Sequence, residues 1–439
     1  MLVLKFGGTS VGSANRIKEV ATLTNTSQKK VVVLSAMSGT TNSLVEIAGY
    51  LYKKNHDSAN EAINILEQKY YKVIEELFST TEYKKIGKEL IKSHFTYIKS
   101  FTQDMFTLFE EKAILAQGEL ISTVLLHYYF NEQKIDSVLI PALNFMRTDK
   151  DGEPDLFYIK ENLNREINQN PNNTIFITQG FICRNAFGEI DNLRRGGSDY
   201  SASLIGVACQ ADEIQIWTDI DGMHNNDPRY VEGTQPLSNL SFDEAAELAY
   251  FGAKILHPAS VQPCKIANIP VRLKNTLEPK ASGTLISSEL KGKGIKSIAA
   301  KDNITAIKIK SGRMLLAHGF MRKVFEIFET YKTPIDMITT SEVAVSVTID
   351  DTKFLNEIVE ELKKYGTVEI DQNLSIICVV GDFISESKGY TFKVMESLQN
   401  ISIRMISYGG SRHNVSLLVN TSDKIEALNS LHQNLFSRV

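Results

Sequence analysis

The chain has 439 residues, 43% hydrophobic and 23% charged, with 48 Lys and Arg against 52 Asp and Glu for a formal net charge of −4. That is enough chain for roughly three domains with sizeable cores. It offers no basic block for nucleic acid, and no apolar run near the roughly 20 residues of a membrane-spanning helix. Cys183, Cys209, Cys264 and Cys378 form no CxxC pair, and Met1–Gly8 lacks the basic region and long apolar core of a signal peptide, so a cytoplasmic protein without a disulfide frame or metal site is expected.

In chain order, strands are predicted at Leu2–Phe6, Lys30–Ser35, Ser137–Ile140, Thr174–Gln179, Glu213–Trp217 and Pro270–Leu273. Helices are predicted at Ala14–Asn25, Ser43–Lys53, Ser198–Cys209 and Phe242–Phe251, the last opening with the capping-box letters Ser241-Phe242-Asp243-Glu244. Near-continuous apolar strands alternating with helices imply an α/β, doubly wound, mostly parallel sheet. Between Gly49 and Gly118 the only glycine is Gly87, and Ile63, Leu66, Tyr70, Val73, Ile74 and Leu77 recur at helical spacing, which reads as a helical insertion.

Beyond Ile295 the pattern changes to two βαββα units. The first runs through Ile304–Ile309, a helix over Val324–Tyr331, Ile335–Thr340, Ala344–Ile349, a helix over Phe354–Tyr365, and Val368–Ile370. The second runs through Ile376–Val380, a helix near Tyr390–Leu398, Ile401–Ile406, Asn414–Val419 and a helix over Lys424–Phe436. Ala344–Asp350 and Asn414–Asn420 correspond at an offset of 70, the mark of an internal repeat. The second copy lacks a closing strand, which Ile295–Ala299 can donate. The expected division is a catalytic domain over 1–290, a first module over 295–371 whose leading strand, 295–301, pairs with the second module, and a second module over 372–439.

In such a sheet, ligands collect beyond the carboxyl ends of the strands. Four polar or glycine-bearing clusters fall there: Lys5-Phe6-Gly7-Gly8-Thr9-Ser10, Ser35–Asn42, Gln179-Gly180-Phe181 and Thr218-Asp219-Ile220-Asp221-Gly222. Lys5 with Gly7 and Gly8 suits a polyphosphate, because glycine lets backbone N–H groups approach phosphate oxygens and the ammonium adds a point charge. A Gly-Gly turn with Lys5 as a solvated strand end fits the same letters. The GxxxxGK[ST] pattern is absent. Arg194-Arg195-Gly196-Gly197-Ser198-Asp199 enters a helix, where an arginine can grip a carboxylate bidentately, although taken alone it reads as a basic turn with an ordinary N-cap. Glu119 can face an amine or simply water, and Lys254 and the Asp227-Pro228-Arg229 turn add charges that can meet phosphate.

Taken together, Lys5-Phe6-Gly7-Gly8-Thr9-Ser10-Val11, Arg195-Gly196-Gly197-Ser198-Asp199, Trp217-Thr218-Asp219, Asp227-Pro228-Arg229 and Phe251-Gly252-Ala253-Lys254-Ile255-Leu256-His257-Pro258 resemble the aspartate kinases of the amino acid kinase superfamily. The terminal repeats resemble that family's paired ACT modules, α+β units of ferredoxin-like βαββαβ type. The resemblance implies transfer of the ATP γ-phosphate, with Mg²⁺ entering on ATP, to the β-carboxylate of L-aspartate. That is the first step toward lysine, threonine and methionine.

By matching position, Lys5, Asp199 and Lys254 are the implied catalytic residues. Lys5, Gly7, Gly8, Thr9, Thr218, Asp219, His224, Arg229, Lys254 and Ile255 would meet ATP. Ser35, Thr41, Glu119, Arg195, Gly196, Gly197 and Ser198 would meet aspartate, and no protein metal ligand is implied. In the first module, Met314, Ala317, Gly319, Phe320, Met321, Asp336, Thr340, Ser341 and Glu342 are the implied effector contacts, pointing to inhibition by L-lysine and to a homodimer formed through the ACT modules. His224 stands where similar enzymes carry tyrosine, and Ala317 and Pro334 where lysine-inhibited relatives carry serine. The length leaves no room for a fused dehydrogenase, so a monofunctional enzyme is expected. The competing readings are a kinase of the same superfamily acting on glutamate or an acylated amino acid, and an inactive amino-acid-binding regulatory protein.

Overall fold

The computed structural model describes residues 1–103, 105–193, 196–252, 256–289, 294–311, 319–382 and 388–436. The elements in chain order are β1 (Leu2–Phe6), α1 (Ala14–Thr24), β2 (Lys30–Leu34), α2 (Thr40–Tyr52), α3 (His56–Leu77), α4 (Thr81–Ser100), α5 (Leu108–Leu115), α6 (Gln117–Glu132), β3 (Val138–Leu139), α7 (Leu156–Asn168), β4 (Ile175–Gln179), β5 (Ile182–Arg184), β6 (Ile190–Asn192) and α8 (Gly197–Ala208). They continue with β7 (Glu213–Thr218), β8 (Asn239–Ser241), α9 (Phe242–Tyr250), α10 (Pro258–Ala267), β9 (Val271–Asn275), β10 (Thr284–Ser287), β11 (Gly294–Lys310), α11 (Phe320–Thr330), β12 (Ile338–Thr340), β13 (Ala344–Ile349), α12 (Leu355–Lys363), β14 (Thr367–Asp382), α13 (Tyr390–Ser397), β15 (Ile403–Tyr408), β16 (Asn414–Asn420) and α14 (Lys424–Phe436).

Two compact units result. One comprises Met1–Met223, Ser238–Phe242 and Leu256–Glu289, the other His224–Leu237, Asp243–Ile255 and Leu290–Val439. Residues 224–237 and 243–255, which the sequence reading places within 1–290, thus group with the C-terminal repeats.

The first unit is built on an eight-stranded sheet ordered β3-β4-β2-β1-β7-β9-β10-β8. Pairing is parallel from β3 to β9 and between β10 and β8, and antiparallel only between β9 and β10. Strands β2 and β4 are buried along their whole length, which is why they read as unbroken β-branched and aromatic runs. The order runs away from β1 in one direction through β2 and β4 and in the other through β7 and β9. The β1–β7 boundary is therefore the switch point at which such sheets open a crevice.

The helical insertion is integral to this unit. Tyr70, Ile74, Ile91 and Phe95 of α3 and α4 share one core with Phe6 and Leu34 of the sheet and Ile17, Ile47 and Leu125 of α1, α2 and α6. Each such side chain contributes roughly 1.5–3 kcal/mol of burial. Asn55 and Thr80 cap α3 and α4 by accepting from the Ser58 and Tyr83 N–H groups, and Thr107 with Glu110 closes a capping box on α5. Helix α2 starts at Thr40, three residues before the predicted Ser43, because Gly39 takes a left-handed φ of 80° and turns the chain straight into it. The short strands β5, β6, β8 and β10 carry too few alternating residues to have been predicted.

The second unit corrects the prediction of separate strands in the repeats. Ile295–Ala299 and Ile304–Ile309 belong to one strand, β11, and Val368–Ile370 and Ile376–Val380 to another, β14. The two pair antiparallel over nearly their full length, Gly294–Lys301 against Asp382–Ile376 and Ile304–Lys310 against Leu374–Thr367. A single six-stranded sheet results, ordered β12-β13-β11-β14-β16-β15. The polar stretches Lys301-Asp302-Asn303 and Asp371-Gln372-Asn373 look like loops in sequence. Asn303 and Asn373 take left-handed φ values of 62° and 58°, and register shifts between Lys301 and Ala306 absorb them as bulges rather than turns.

Candidate active site

The carboxyl ends of β1, β2, β4 and β7 lie side by side, and the loops leaving them are tied to one another. Gly7 N–H donates to the Trp217 carbonyl at 3.2 Å, Ser35 N–H to Phe6 at 3.1 Å, Ser38 N–H to Gly8 at 3.1 Å and Gly180 N–H to Leu34 at 2.9 Å. The Ser10 and Thr276 hydroxyls meet at 2.7 Å, adding the end of β9 to this edge. Between the loops is a cavity of about 530 Å³ lined by Gly7, Gly8, Thr9, Ser35–Gly39, Thr41, Asn42, Glu119, Phe181, Gly197, Ser198, Thr218 and Asp219.

One end of this edge carries the positive charge. Lys5 lies on β1, 9% exposed, and its Nζ is 2.6 Å from Asp199 Oδ1 in the first turn of α8. The two side chains are 11% and 17% exposed, so the carboxylate holds the ammonium at one spot, beneath Gly7. The N-terminus of α8 is turned into place by Gly196 and Gly197, both at positive φ. At the end of β7 the Thr218 hydroxyl donates to Asp219 Oδ1 at 3.0 Å.

Helix α6 brings a carboxyl to the same cavity. Glu119, in its first turn, is 3% exposed, and its Oε2 is buried without a hydrogen-bond partner among the described residues. Burial pushes the carboxyl from its ordinary 4.5 up to about 8, against the opposing pull of the Ala36 and Glu119 backbone N–H groups and the Lys5 charge. A buried carboxyl in a cavity lining, with an oxygen that no described residue partners, can give up its proton to take a cation. Gly118 makes the approach possible, since a Cβ there would stand 2.6 Å from that of Ala36.

Of the residues singled out in the sequence, Gly7, Gly8, Thr9, Ser35, Thr41, Glu119, Gly197, Ser198, Thr218 and Asp219 line this single cavity, with Lys5 and Asp199 paired. Arg195, Lys254, Ile255, Met314 and Ala317 lie outside the described residues. His224 and Arg229 belong to the second unit. There the His224 Nδ1 meets the Thr234 hydroxyl at 3.0 Å, and the Arg229 guanidinium grips Asp227 at 2.6 Å. Ala36, Met37, Ser38, Gly39, Asn42 and Phe181 join the lining although they are not among the expected site residues. Their signal is position alone, inside the clusters Ser35–Asn42 and Gln179–Phe181 at strand ends. Thr276 had a similar signal in Asn275-Thr276, which follows the predicted strand at Pro270–Leu273.

In the second unit, Gly319 opens α11 with a φ of 84°, followed by Phe320 and Met321. Asp336 is buried ahead of β12, and its Oδ1 accepts from Lys301 at 2.7 Å and from the Tyr250 hydroxyl at 3.0 Å. Burial pushes its carboxyl upward against the pull of Lys301. Thr340, Ser341 and Glu342 are exposed at the β12–β13 turn.

The family model for the amino acid kinase family matches residues 1–275, and one for an ACT domain matches residues 377–435. Lysine-sensitive aspartokinase 3 of Escherichia coli is 33% identical over 99% of this chain and 99% of its own. The chain belongs to the aspartokinases. Like its relatives it is an aspartate kinase, a phosphotransferase whose acceptor is a carboxyl group. Crystal structures of E. coli aspartokinase III match over 99% of this chain at 31% identity. The complex with aspartate and ADP, designated R-state, gives a TM-score of 0.84 and is covered to 100%; the complex with lysine and aspartate, designated T-state, gives 0.82 and is covered to 99%. In this aspartokinase, no helix among the described residues is long and apolar enough to cross a membrane.

Proposed function

We propose that the cavity at the β1–β7 switch point binds L-aspartate and the phosphates of ATP side by side, with Glu119 facing the aspartate ammonium and Lys5 the phosphates. The observation that carries this is one cavity lined both by the Gly7-Gly8 loop, with the Lys5 ammonium beneath it, and by the buried Glu119 carboxyl, whose Oε2 has no hydrogen-bond partner among the described residues. Ser35, Thr41 and Ser198 supply hydroxyls for the rest of the amino acid. A Glu119 that takes an ammonium favours a free α-amine, which argues against an acylated substrate.

The carboxylate is already a nucleophile. A β-carboxylate oxygen forms a bond to the γ-phosphorus, the bond to the β,γ-bridging oxygen breaks, and 4-phospho-L-aspartate and ADP leave. No strong base is needed, so catalysis rests on in-line positioning and on charge neutralisation by Lys5. Asp199, paired with Lys5, positions that ammonium. Among the described residues no group of three or more His, Cys, Asp or Glu side chains gathers into a metal site. Mg²⁺ would enter on the ATP phosphates and water, with Asp219 of the cavity lining to orient such water, and would supply charge neutralisation. Coupled ADP release with aspartate, glutamate and N-acetylglutamate tests the reading. Turnover of aspartate alone is expected, and preference for either of the others would overturn it.

We further propose feedback inhibition by L-lysine at the segment around Gly319, Phe320 and Met321, with Asp336 and Glu342 as carboxylates and Thr340 and Ser341 beside them. Two acidic groups suit a dibasic ligand. The residues of this region and the lysine complex of the E. coli relative support the reading. A homodimer formed through the six-stranded sheet is supported by Ile338, Val343, Ile370, Ile406 and Tyr408, all exposed on that unit. Light scattering would show a dimer, and titration with lysine, threonine and methionine would show inhibition by lysine. A cytoplasmic location accords with the free cysteines and the absence of a spanning helix among the described residues.

A further inference from the structure

The helical insertion touches the site through two consecutive residues of α3. Lys69 Nζ donates to the Ser38 carbonyl at 2.7 Å, and the Tyr70 hydroxyl meets Thr40 Oγ1 at 3.0 Å. Between these anchors lies Gly39, the left-handed residue that turns the loop into α2, and directly after them comes Thr41 in the cavity lining. The same loop is held on its other side, where Ser38 N–H donates to the Gly8 carbonyl. Ser38 is thus stretched between the glycine loop after β1 and α3, its N–H given to one and its carbonyl to the other.

Neither anchor is needed merely to fill space. Tyr70 is 1% exposed and its ring packs on Phe95 of α4, centroids 5.9 Å apart, so phenylalanine would fill the same volume; among the described residues the hydroxyl serves only Thr40, which is itself 1% exposed. Lys69 belongs to an exposed helix position, yet its ammonium bends onto a loop carbonyl rather than remaining in water. Its Nζ stands 3.6 Å from where a Gly39 Cβ would be, so it sits at the back of the turn that presents Thr41.

We propose that Lys69 and Tyr70 are positioning residues for aspartate, holding the Ser38–Thr41 turn at the depth at which the Thr41 hydroxyl meets the substrate. This rests on the assignment of that loop to aspartate. A hydrogen bond from a charged donor contributes about 1.5–3 kcal/mol and a neutral one about half that. A turn freed of one anchor misplaces its hydroxyl, and such misplacement falls on the ligand that the turn contacts.

The test is steady-state kinetics on the full chain, varying aspartate and ATP separately, with thermal unfolding recorded for each variant. Lys69→Met and Tyr70→Phe should each raise the KM for aspartate roughly three- to thirty-fold, leaving the KM for ATP within about two-fold. Lys69→Arg should recover most of the loss. Thr40→Val added to Tyr70→Phe should cost little more, because both remove the same bond. Unchanged aspartate KM in both single variants overturns the proposal. So does an equal rise in both KM values with a fall in unfolding temperature, which would mark α3 as a structural support only. Thr41→Val separates this from the underlying assignment: if it raises the KM for ATP alone, the loop faces nucleotide and the assignment itself fails; if it raises that for aspartate while Lys69→Met and Tyr70→Phe are silent, only the inference fails.

Discussion

Glu119 offers a measurement that reports on the substrate's charge directly. Its carboxyl is 3% exposed, and that burial pushes it from 4.5 up to about 8. At pH 7 such a group holds its proton in about nine molecules of ten. An aspartate ammonium arriving at Oε2 favours the carboxylate, so binding should expel between about 0.5 and 1 proton per site at pH 7. Isothermal titration of aspartate in phosphate and in Tris, whose ionisation enthalpies differ, gives this number from the difference in observed heats. Near pH 9 the release should fade, because the proton has already gone. In Glu119→Gln the release should vanish and aspartate affinity should drop sharply.

Stability provides the second arm. An unfolded glutamate loses its proton near 4.5, so between 4.5 and about 8 the native state binds the extra proton and loses stability as pH rises through that window. The full span corresponds to an upper bound on the order of 5 kcal/mol. Urea denaturation should therefore show Glu119→Gln gaining on the parent between pH 5 and pH 8.5. Equal proton release in parent and variant would refute the assignment of Glu119 to the substrate amine.

Lys5→Ala should lower kcat by about 10²- to 10³-fold or more in the coupled assay. It also strands Asp199, and breaking so buried a pair costs about 3–5 kcal/mol, so adding Asp199→Asn should restore thermal stability without restoring turnover. Gly118→Ala drives a Cβ to 2.6 Å from that of Ala36 and 3.2 Å from Thr40 Cγ2; a loss of about 1–3 kcal/mol in denaturant and a raised KM for aspartate are expected. Lys301→Met removes the internal ammonium from Asp336, and lysine should then inhibit at lower concentration, as read from activity titrations; an unchanged midpoint would mean that effector and Lys301 do not compete.

Much of the kinase unit was legible because its signals are local. Short apolar runs in β1, β2 and β4 and the alternating Glu213–Thr218 of β7 announce these strands, and the loops at their carboxyl ends line the described cavity. What stayed hidden depends on distant partners. Nothing in the letters near Lys69 or Tyr70 tells that α3 grips the loop after β2, since helical periodicity speaks only of a buried face. The joining of β11 was obscured by Lys301-Asp302-Asn303, whose turn-forming chemistry the sheet overrides. Asp336 was expected to offer a carboxylate, which it has, but its engagement by Lys301 and Tyr250 required seeing which strand lies next to which.

The joined strands also determine how the repeats can come apart. The hairpin strand β13 lies along one half of β11, at Thr305–Lys310, and β16 along the opposite half of β14, at Leu374–Val380. Each repeat therefore owns only part of a ladder whose other rail belongs to its twin. Cutting the chain between residues 371 and 372 would sever β14 mid-strand and leave Gly294–Lys301 with a bare row of N–H and C=O groups toward the missing half. Either fragment alone would be adhesive rather than soluble. In hydrogen exchange, the amides of both halves should open in one concerted event, at one free energy, instead of peeling away repeat by repeat. Duplication here has produced an indivisible whole, and recombination that shuffled one repeat between relatives would have to move both.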